Sequence, residues 1–320
     1  MSMAIRMRWT TLETVHATAT LESPPVTPDA YGPSARSAWM DIDWREHQRW
    51  VTVEDRPVNV VDLGEGPPLV FIHGLAGSWN NWLEQLPAFA AERRVIAMDL
   101  PGFGESPMPR DKISIGGYAR IVDQLLGELG VDNGAIVGNS MGGFISAELA
   151  ISHPERVERL VLVSAAGITS EHERTAHLIP ALRVANRGLL MATAWFAAKS
   201  DAVARRPRLR YVTLAVVTAH PNDLSAPLAA ELLRGSGKPG FVDAFYTLTH
   251  YSIRDRLPKI AAPTLIVWGA RDRLVPLRDA DVFEQLIPNA RKVVYPDTGH
   301  VAMLERPERF NADLQAFLQS

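Results

Sequence analysis

The chain has 320 residues, 47% apolar and 22% charged, a globular make-up with room for one large α/β domain or two small ones. A net charge of −3, from 33 basic and 36 acidic residues, gives no basic surplus for nucleic acid and no polybasic tail for anionic lipid, so a small molecule is the expected partner. The absence of cysteine excludes disulfides, thiolate metal sites and cysteine nucleophiles, and a cytoplasmic location is the simpler reading.

Residues 1–48 read as a flexible N-terminal extension, because the stretch from Met1 to Tyr31 mixes Thr, Ala, Pro and Ser without sustained periodicity. Arg6 and Arg8 precede no apolar run long enough for a signal-peptide core, and Met3, Met7 and Met40 would allow translation to start later. No stretch approaches the roughly 18 unbroken apolar residues of a membrane span, residues 189–198 coming closest, so no integral membrane segment is expected.

Residues 50–54 and 58–62 alternate apolar and polar across a short turn, which predicts an antiparallel hairpin at a sheet edge. Short apolar runs follow at 69–72, 95–98, 135–137, 160–163, 265–268 and 293–295, and strands apolar on both faces belong in a buried parallel sheet. Between them Trp79, Trp82, Leu83, Leu86 and Phe89 fall at helical spacing, as do Tyr118, Ile121, Val122, Leu125 and Leu129. The pattern predicts a mostly parallel, doubly wound α/β sheet. After Val163 the alternation stops for about a hundred residues. Helix-like segments at 177–199, 202–219, 223–233 and 240–251 replace it, carrying Trp195, Phe196, Phe241, Phe245 and Tyr246. The expected organisation is therefore core at 49–164, a helical cap at 165–260 over the carboxyl ends of the strands, and core again at 261–320.

Residues 136–143 read Ile-Val-Gly-Asn-Ser-Met-Gly-Gly, a Gly-x-Ser-x-Gly between an apolar run and a helical one. A serine hydroxyl attacks carbonyls only when a base takes its proton and fixed N–H groups hold the oxyanion. A sharp strand-to-helix turn lifts Ser140 clear of the backbone and needs residues without bulk at Gly138 and Gly142. Asp272 follows the 265–268 run and His300 the 293–295 run, each in a loop at a strand's carboxyl end. Ser140, Asp272 and His300 thus occur in the order nucleophile, acid, base at one sheet edge. Asp297, three residues from His300, is a rival acid that reads better as a loop-capping residue.

The glycine-rich turn from Phe71 to Ser78 offers inward-pointing N–H groups, so the amides of Leu75 and Met141 are the expected oxyanion donors. His73 reads as a structural residue that hydrogen-bonds the backbone, and no phosphate-loop or dinucleotide fingerprint completes the turn. Asp99 and Ser106 read as the ends of a second tight loop. Gly74, Trp79, Phe103, Trp195 and Phe196 are the candidate substrate contacts.

The segments His73-Gly74, Asp99 to Ser106, Gly138 to Gly143, Asp272 and Gly299-His300, in this order, resemble the α/β-hydrolase superfamily over residues 50–317. The resemblance implies an eight-stranded sheet with a helical lid after the sixth strand. It also implies cofactor-free, metal-free hydrolysis through an acyl-serine, with Ser140 as nucleophile, His300 as base and Asp272 as its orienting acid. Within the superfamily the motifs are similar to serine esterases acting on carboxylic esters and to hydrolases that cleave carbon–carbon bonds of ring-fission products. The loop after His73 lacks the Gly-Pro-Gly pattern common in the second group, and Val301 stands where those enzymes often carry tryptophan, so an esterase acting on a small-molecule ester is favoured. Serine rather than aspartate at 140 speaks against an epoxide hydrolase or a dehalogenase. A non-catalytic binding module on the same scaffold is the alternative of another class.

Overall fold

The apolar runs become the strands of one sheet. In a computed structural model that describes residues 30–168 and 194–320, these are β1 (Gln48–Val53), β2 (Arg56–Leu63), β3 (Pro68–Ile72), β4 (Arg94–Met98), β5 (Gly134–Asn139), β6 (Val157–Val163), β7 (Thr264–Gly269) and β8 (Ala290–Tyr295). They lie in the order β1-β2-β4-β3-β5-β6-β7-β8. β1 and β2 form the expected hairpin, β2 runs antiparallel to β4, and all pairings from β4 to β8 are parallel. The hairpin turns on Glu54 and Asp55, both at positive φ, as a two-residue connection between right-twisted strands requires.

Successive residues of the central strands face opposite layers. Val70, Ile72 and Ile136 pack with Tyr118 and Phe144 on one side, while Leu69, Phe71 and Val137 pack with Trp82 and Phe310 on the other. Around the sheet, with several short 3₁₀ turns, are helices α1 (Leu86–Phe89), α2 (Ile115–Glu128), α3 (Met141–Ser152), α4 (Ser200–Ala204), α5 (Pro207–Leu214), α6 (Ala226–Arg234), α7 (Phe241–His250), α8 (Arg278–Leu286), α9 (Ala302–Glu305) and α10 (Pro307–Gln319). Buried on all sides, α3 is tied to the segment after α7 by Glu148, whose carboxylate accepts from Arg256 Nη1 and Nη2, both at 2.9 Å, and from the Tyr251 hydroxyl at 3.0 Å.

Three expectations are corrected. The single helix read between Trp79 and Phe89 is a 3₁₀ turn, Trp79–Trp82, followed by the short α1, because Pro87 is tolerated only in a first helical turn and forces a restart. Pro207 divides α4 from α5 in the same way. Residues 30–47, expected inside a flexible extension, pack on the sheet's helical layer: Trp39 is buried with its Nε1–H donating to Glu84 Oε1 at 2.8 Å, and the rings of Trp44 and Trp79 lie 5.1 Å apart. Their scattered aromatics have no period to read, yet each is large enough to anchor a loop. Residues 1–29 of that extension and 177–193 of the first expected cap helix lie outside the described residues.

Candidate active site

β5 passes into α3 through Ser140 alone, whose φ of 55° and ψ of −117° place a non-glycine residue in a region costing about 1–3 kcal/mol. The turn is held by backbone bonds: Ser140 N donates to Val163 O at 2.9 Å, and Ser140 O accepts from Phe144 N and Ala166 N, both at 3.1 Å. Glycine is required on either side. A Cβ on Gly138 would stand 2.3 Å from Gly142 O, and one on Gly142 would stand 2.1 Å from Ile72 O. Ser140 therefore sits at the first turn of α3, where N–H groups lack intrahelical partners.

The loop after β3 comes close to this elbow, since a Cβ on Gly74 would lie 3.0 Å from the Ser140 Cβ. Its conformation is fixed by His73, which is fully buried. His73 Nε2 accepts from Leu100 N at 2.9 Å, which leaves Nδ1–H to donate to Gly74 O at 2.7 Å. Burial keeps this imidazole neutral by pushing its pKa below the ordinary value. The structural role read for His73 is therefore the one its contacts give it. Asp99 does the same for the neighbouring loop, accepting from Trp79 N, Asn59 Nδ2 and Glu105 N, each at 2.9 Å. Gly104, at positive φ, lies so close that a Cβ there would meet the Asp99 carboxylate at about 2 Å.

On the other side of Ser140, the loops after β7 and β8 meet. His300 Nδ1 donates to Asp272 Oδ2 at 2.8 Å, with both side chains almost wholly buried. Asp272 Oδ1 accepts from Leu274 N at 2.8 Å and Val275 N at 2.9 Å, so the carboxylate is held at both oxygens. Asp297, the rival acid, turns away to His220 Nε2 at 2.8 Å and Arg271 Nη1 at 2.6 Å. The hydrogen bond from His220 holds its carboxyl below the usual range. Asn139, which the motif leaves unspecified, bridges the two halves: its Nδ2 donates to Val163 O at 3.1 Å and to His300 O at 3.2 Å.

Ser140 and His300 both face a cavity of about 380 Å³, within the usual range for small-molecule sites. Gly74, Leu75 and Asn81 form its wall beside the elbow, Leu274 to Pro276 and Val301 line a second side, and residues from α5 to α7 including Leu214, Val217, Leu233, Phe241, Phe245 and Leu248 line a third. The cavity lies where the carboxyl ends of β3, β5, β7 and β8 meet the helices expected to form a cap.

The family model for the alpha/beta hydrolase fold matches residues 67–307. The chain belongs to the α/β-hydrolase family. This hydrolase is 34% identical over 274 residues, 81% of its own length and 90% of the other's, to a 2-hydroxymuconate semialdehyde hydrolase of Pseudomonas putida. It is 32% identical over 263 residues to the dihydrolipoyllysine-residue acetyltransferase component of the acetoin cleaving system of the same organism, spanning 79% of its own chain but only 64% of that protein. Among solved structures it is similar to a membrane phospholipase A described as a bacterial virulence factor, with a TM-score of 0.67, 30% identity and 85% of each chain covered. No helix among the described residues is long and apolar enough to cross a membrane.

The hydrolase places the candidate substrate contacts unevenly. Gly74 lines the cavity, as does Leu75, expected as an oxyanion donor; Trp79, Phe103, Trp195 and Phe196 do not. Trp79 is buried against Trp44, and Phe103 is buried edge-on to His73. Trp195 is 57% exposed, and Phe196 packs on the α4–α6 cluster. The aromatic wall comes instead from Phe241 and Phe245, whose spacing of four puts both on one face of α7.

Proposed function

We propose that this α/β-hydrolase is a serine esterase that cleaves carboxylic esters of apolar acids through an acyl-enzyme on Ser140. The observation that carries the reading is the Asp272–His300 hydrogen bond of 2.8 Å facing the same apolar cavity as a serine held at a strained elbow. With Nδ1–H engaged by Asp272, Nε2 is the nitrogen left to act as base. It takes the Ser140 proton as the oxygen attacks the ester carbonyl, and the Leu75 and Met141 amides hold the oxyanion. The imidazolium then protonates the departing alcohol, and the same nitrogen activates the water that releases the acid. Asp272 orients the ring and balances its charge.

The cavity favours an uncharged, apolar acyl group. Among the described residues that line it, the polar side chains besides Ser140 and His300 are Asn81, Asn139, Thr213, Ser236 and Thr249, and none is acidic or carries a permanent positive charge. A 34% identical semialdehyde hydrolase favours a second reading, carbon–carbon hydrolysis of a ring-fission product by the same three residues. A dienoic ring-fission acid assayed beside a panel of p-nitrophenyl esters of rising chain length separates the two. The esterase reading expects turnover of medium-chain esters and negligible turnover of the acid; the reverse overturns it. Ser140→Ala is expected to lower ester turnover roughly 10⁴-fold or more with an unchanged thermal melt. A fluorophosphonate is expected to label the native chain at Ser140, whereas a non-catalytic binding module would remain unlabelled.

A further inference from the structure

Both peptide N–H groups that flank His300 end on one side chain. Gly299 N donates to Glu305 Oε2 at 2.9 Å and Val301 N to Glu305 Oε1 at 3.2 Å, while the N–H of His300 itself donates to Val217 O at 3.0 Å. The same Oε2 accepts from Ala219 N at 2.8 Å and from the Tyr31 hydroxyl at 2.6 Å. Glu305 is fully buried at the end of α9. One carboxylate thus joins the loop of His300, the strip after α5 that walls the cavity, and the segment that precedes β1.

All four partners are donors, an arrangement that a carboxylate satisfies and a protonated carboxyl does not. Burial pushes the Glu305 carboxyl up, and the hydrogen bonds from Tyr31 and the three backbone N–H groups act against that rise. The Tyr31 hydroxyl is raised far above its ordinary range, first by burial and then by the Glu305 charge, so it remains a donor. Its oxygen accepts from His220 N at 2.9 Å, and Gly32 N donates to Glu305 O at 2.7 Å. The fit leaves no room for a side chain at 299, where a Cβ would meet Ala219 N at 2.7 Å.

We propose, building on the esterase reading, that Glu305 is a positioning residue, held in place by Tyr31, that fixes the location of His300 and sets a buried negative charge beside its loop. A buried negative charge adjoining the peptides on both sides of the imidazole favours the imidazolium formed during attack, in addition to Asp272, which touches the ring. The other titratable and charged groups around this loop are Asp297, His220, Arg271 and Arg306. They form a cluster in which Asp297 meets His220 at 2.8 Å, Arg271 at 2.6 Å and Arg306 at 3.9 Å. The hydrogen-bond partners of Glu305 are instead four neutral donors, with the Arg306 guanidinium over the Tyr31 ring at 4.9 Å. The N-terminal segment is by this account part of the catalytic mounting.

The test is the pH profile of kcat/KM for Glu305→Gln, Glu305→Asp and Tyr31→Phe on the best ester of the panel, with wild type and Ser140→Ala alongside. Glu305→Gln is expected to lower kcat about a hundredfold, as a base displaced by an ångström would, with KM within about twofold. Its acid limb should move to lower pH, because the charge that favoured the imidazolium is gone. Glu305→Asp, which restores the charge on a shorter stem, should restore the limb while kcat stays low. Tyr31→Phe, which removes one hydroxyl and little else, should lower kcat severalfold with the same KM. An acid limb superimposable on wild type in Glu305→Gln, or, should that variant not fold, an unchanged kcat in Tyr31→Phe, overturns the proposal. Full activity in Ser140→Ala overturns the esterase reading instead, and the two failures are read from different variants.

Discussion

At the residue Asp272, geometry allows a sharper prediction than removal. In Asp272→Asn the amide oxygen can accept from Leu274 N and Val275 N as Oδ1 does now, which turns the amide NH₂ toward His300 Nδ1. That nitrogen must then accept, the ring proton moves to Nε2, and the base can no longer take the Ser140 proton. Turnover is expected to fall about 10⁴-fold with little change in thermal stability, measured as kcat on the best ester and as a melt. A loss under tenfold would mean that Asp272 does not orient the base. The order of Ser140, Asp272 and His300 was legible because each ends an apolar run, and a parallel sheet brings such ends together. Asn139 and Glu305 were not legible. Asn139 bonds a carbonyl of β6, and Glu305 joins nearby amides of its own loop to Tyr31 and to an amide after α5; no spacing in the sequence encodes such distant partners.

At the scale of elements, α7 supplies an aromatic wall of the cavity. Phe241, Phe245 and Leu248 present one face to it, and the two rings stack with centroids 6.3 Å apart. Phe245→Ala is expected to open space on the α7 side without touching Ser140 or His300, so the optimum of the p-nitrophenyl ester panel should shift to longer chains. The shortest ester should lose little in kcat/KM, and an optimum that stays put would place the acyl group elsewhere. Sequence periodicity located α7 but not its role. Trp195 and Phe196 carry the same apolar content in the same region, yet one faces solvent and the other its helical neighbours, because the packing of neighbouring helices decides which face is buried. The β-strands were easier, since a run apolar on both faces has only the sheet interior to occupy.

For the whole molecule, two buried groups push the pH dependence of stability in opposite directions. His73 is neutral in the fold and its pKa is lowered by burial, so below about 6.5 the unfolded chain binds a proton that the native state refuses. Stability from this group is complete above that value and is lost as the pH falls below it. Glu305 is the reverse case. Its pKa is raised by burial, so the native state binds the proton first, and the cost of the buried charge, present above the folded value, is relieved as the pH drops toward the unfolded one. Denaturant midpoints between pH 8 and pH 4.5 should therefore fall less steeply on the acid side than His73 alone dictates. Glu305→Gln removes the relief, and its decline with falling pH should be steeper than that of wild type. His73→Gln should begin less stable by about 1–3 kcal/mol, having lost a matched donor and acceptor, and should decline more gently. Parallel curves for the three proteins would show that neither group controls the acid limb of stability.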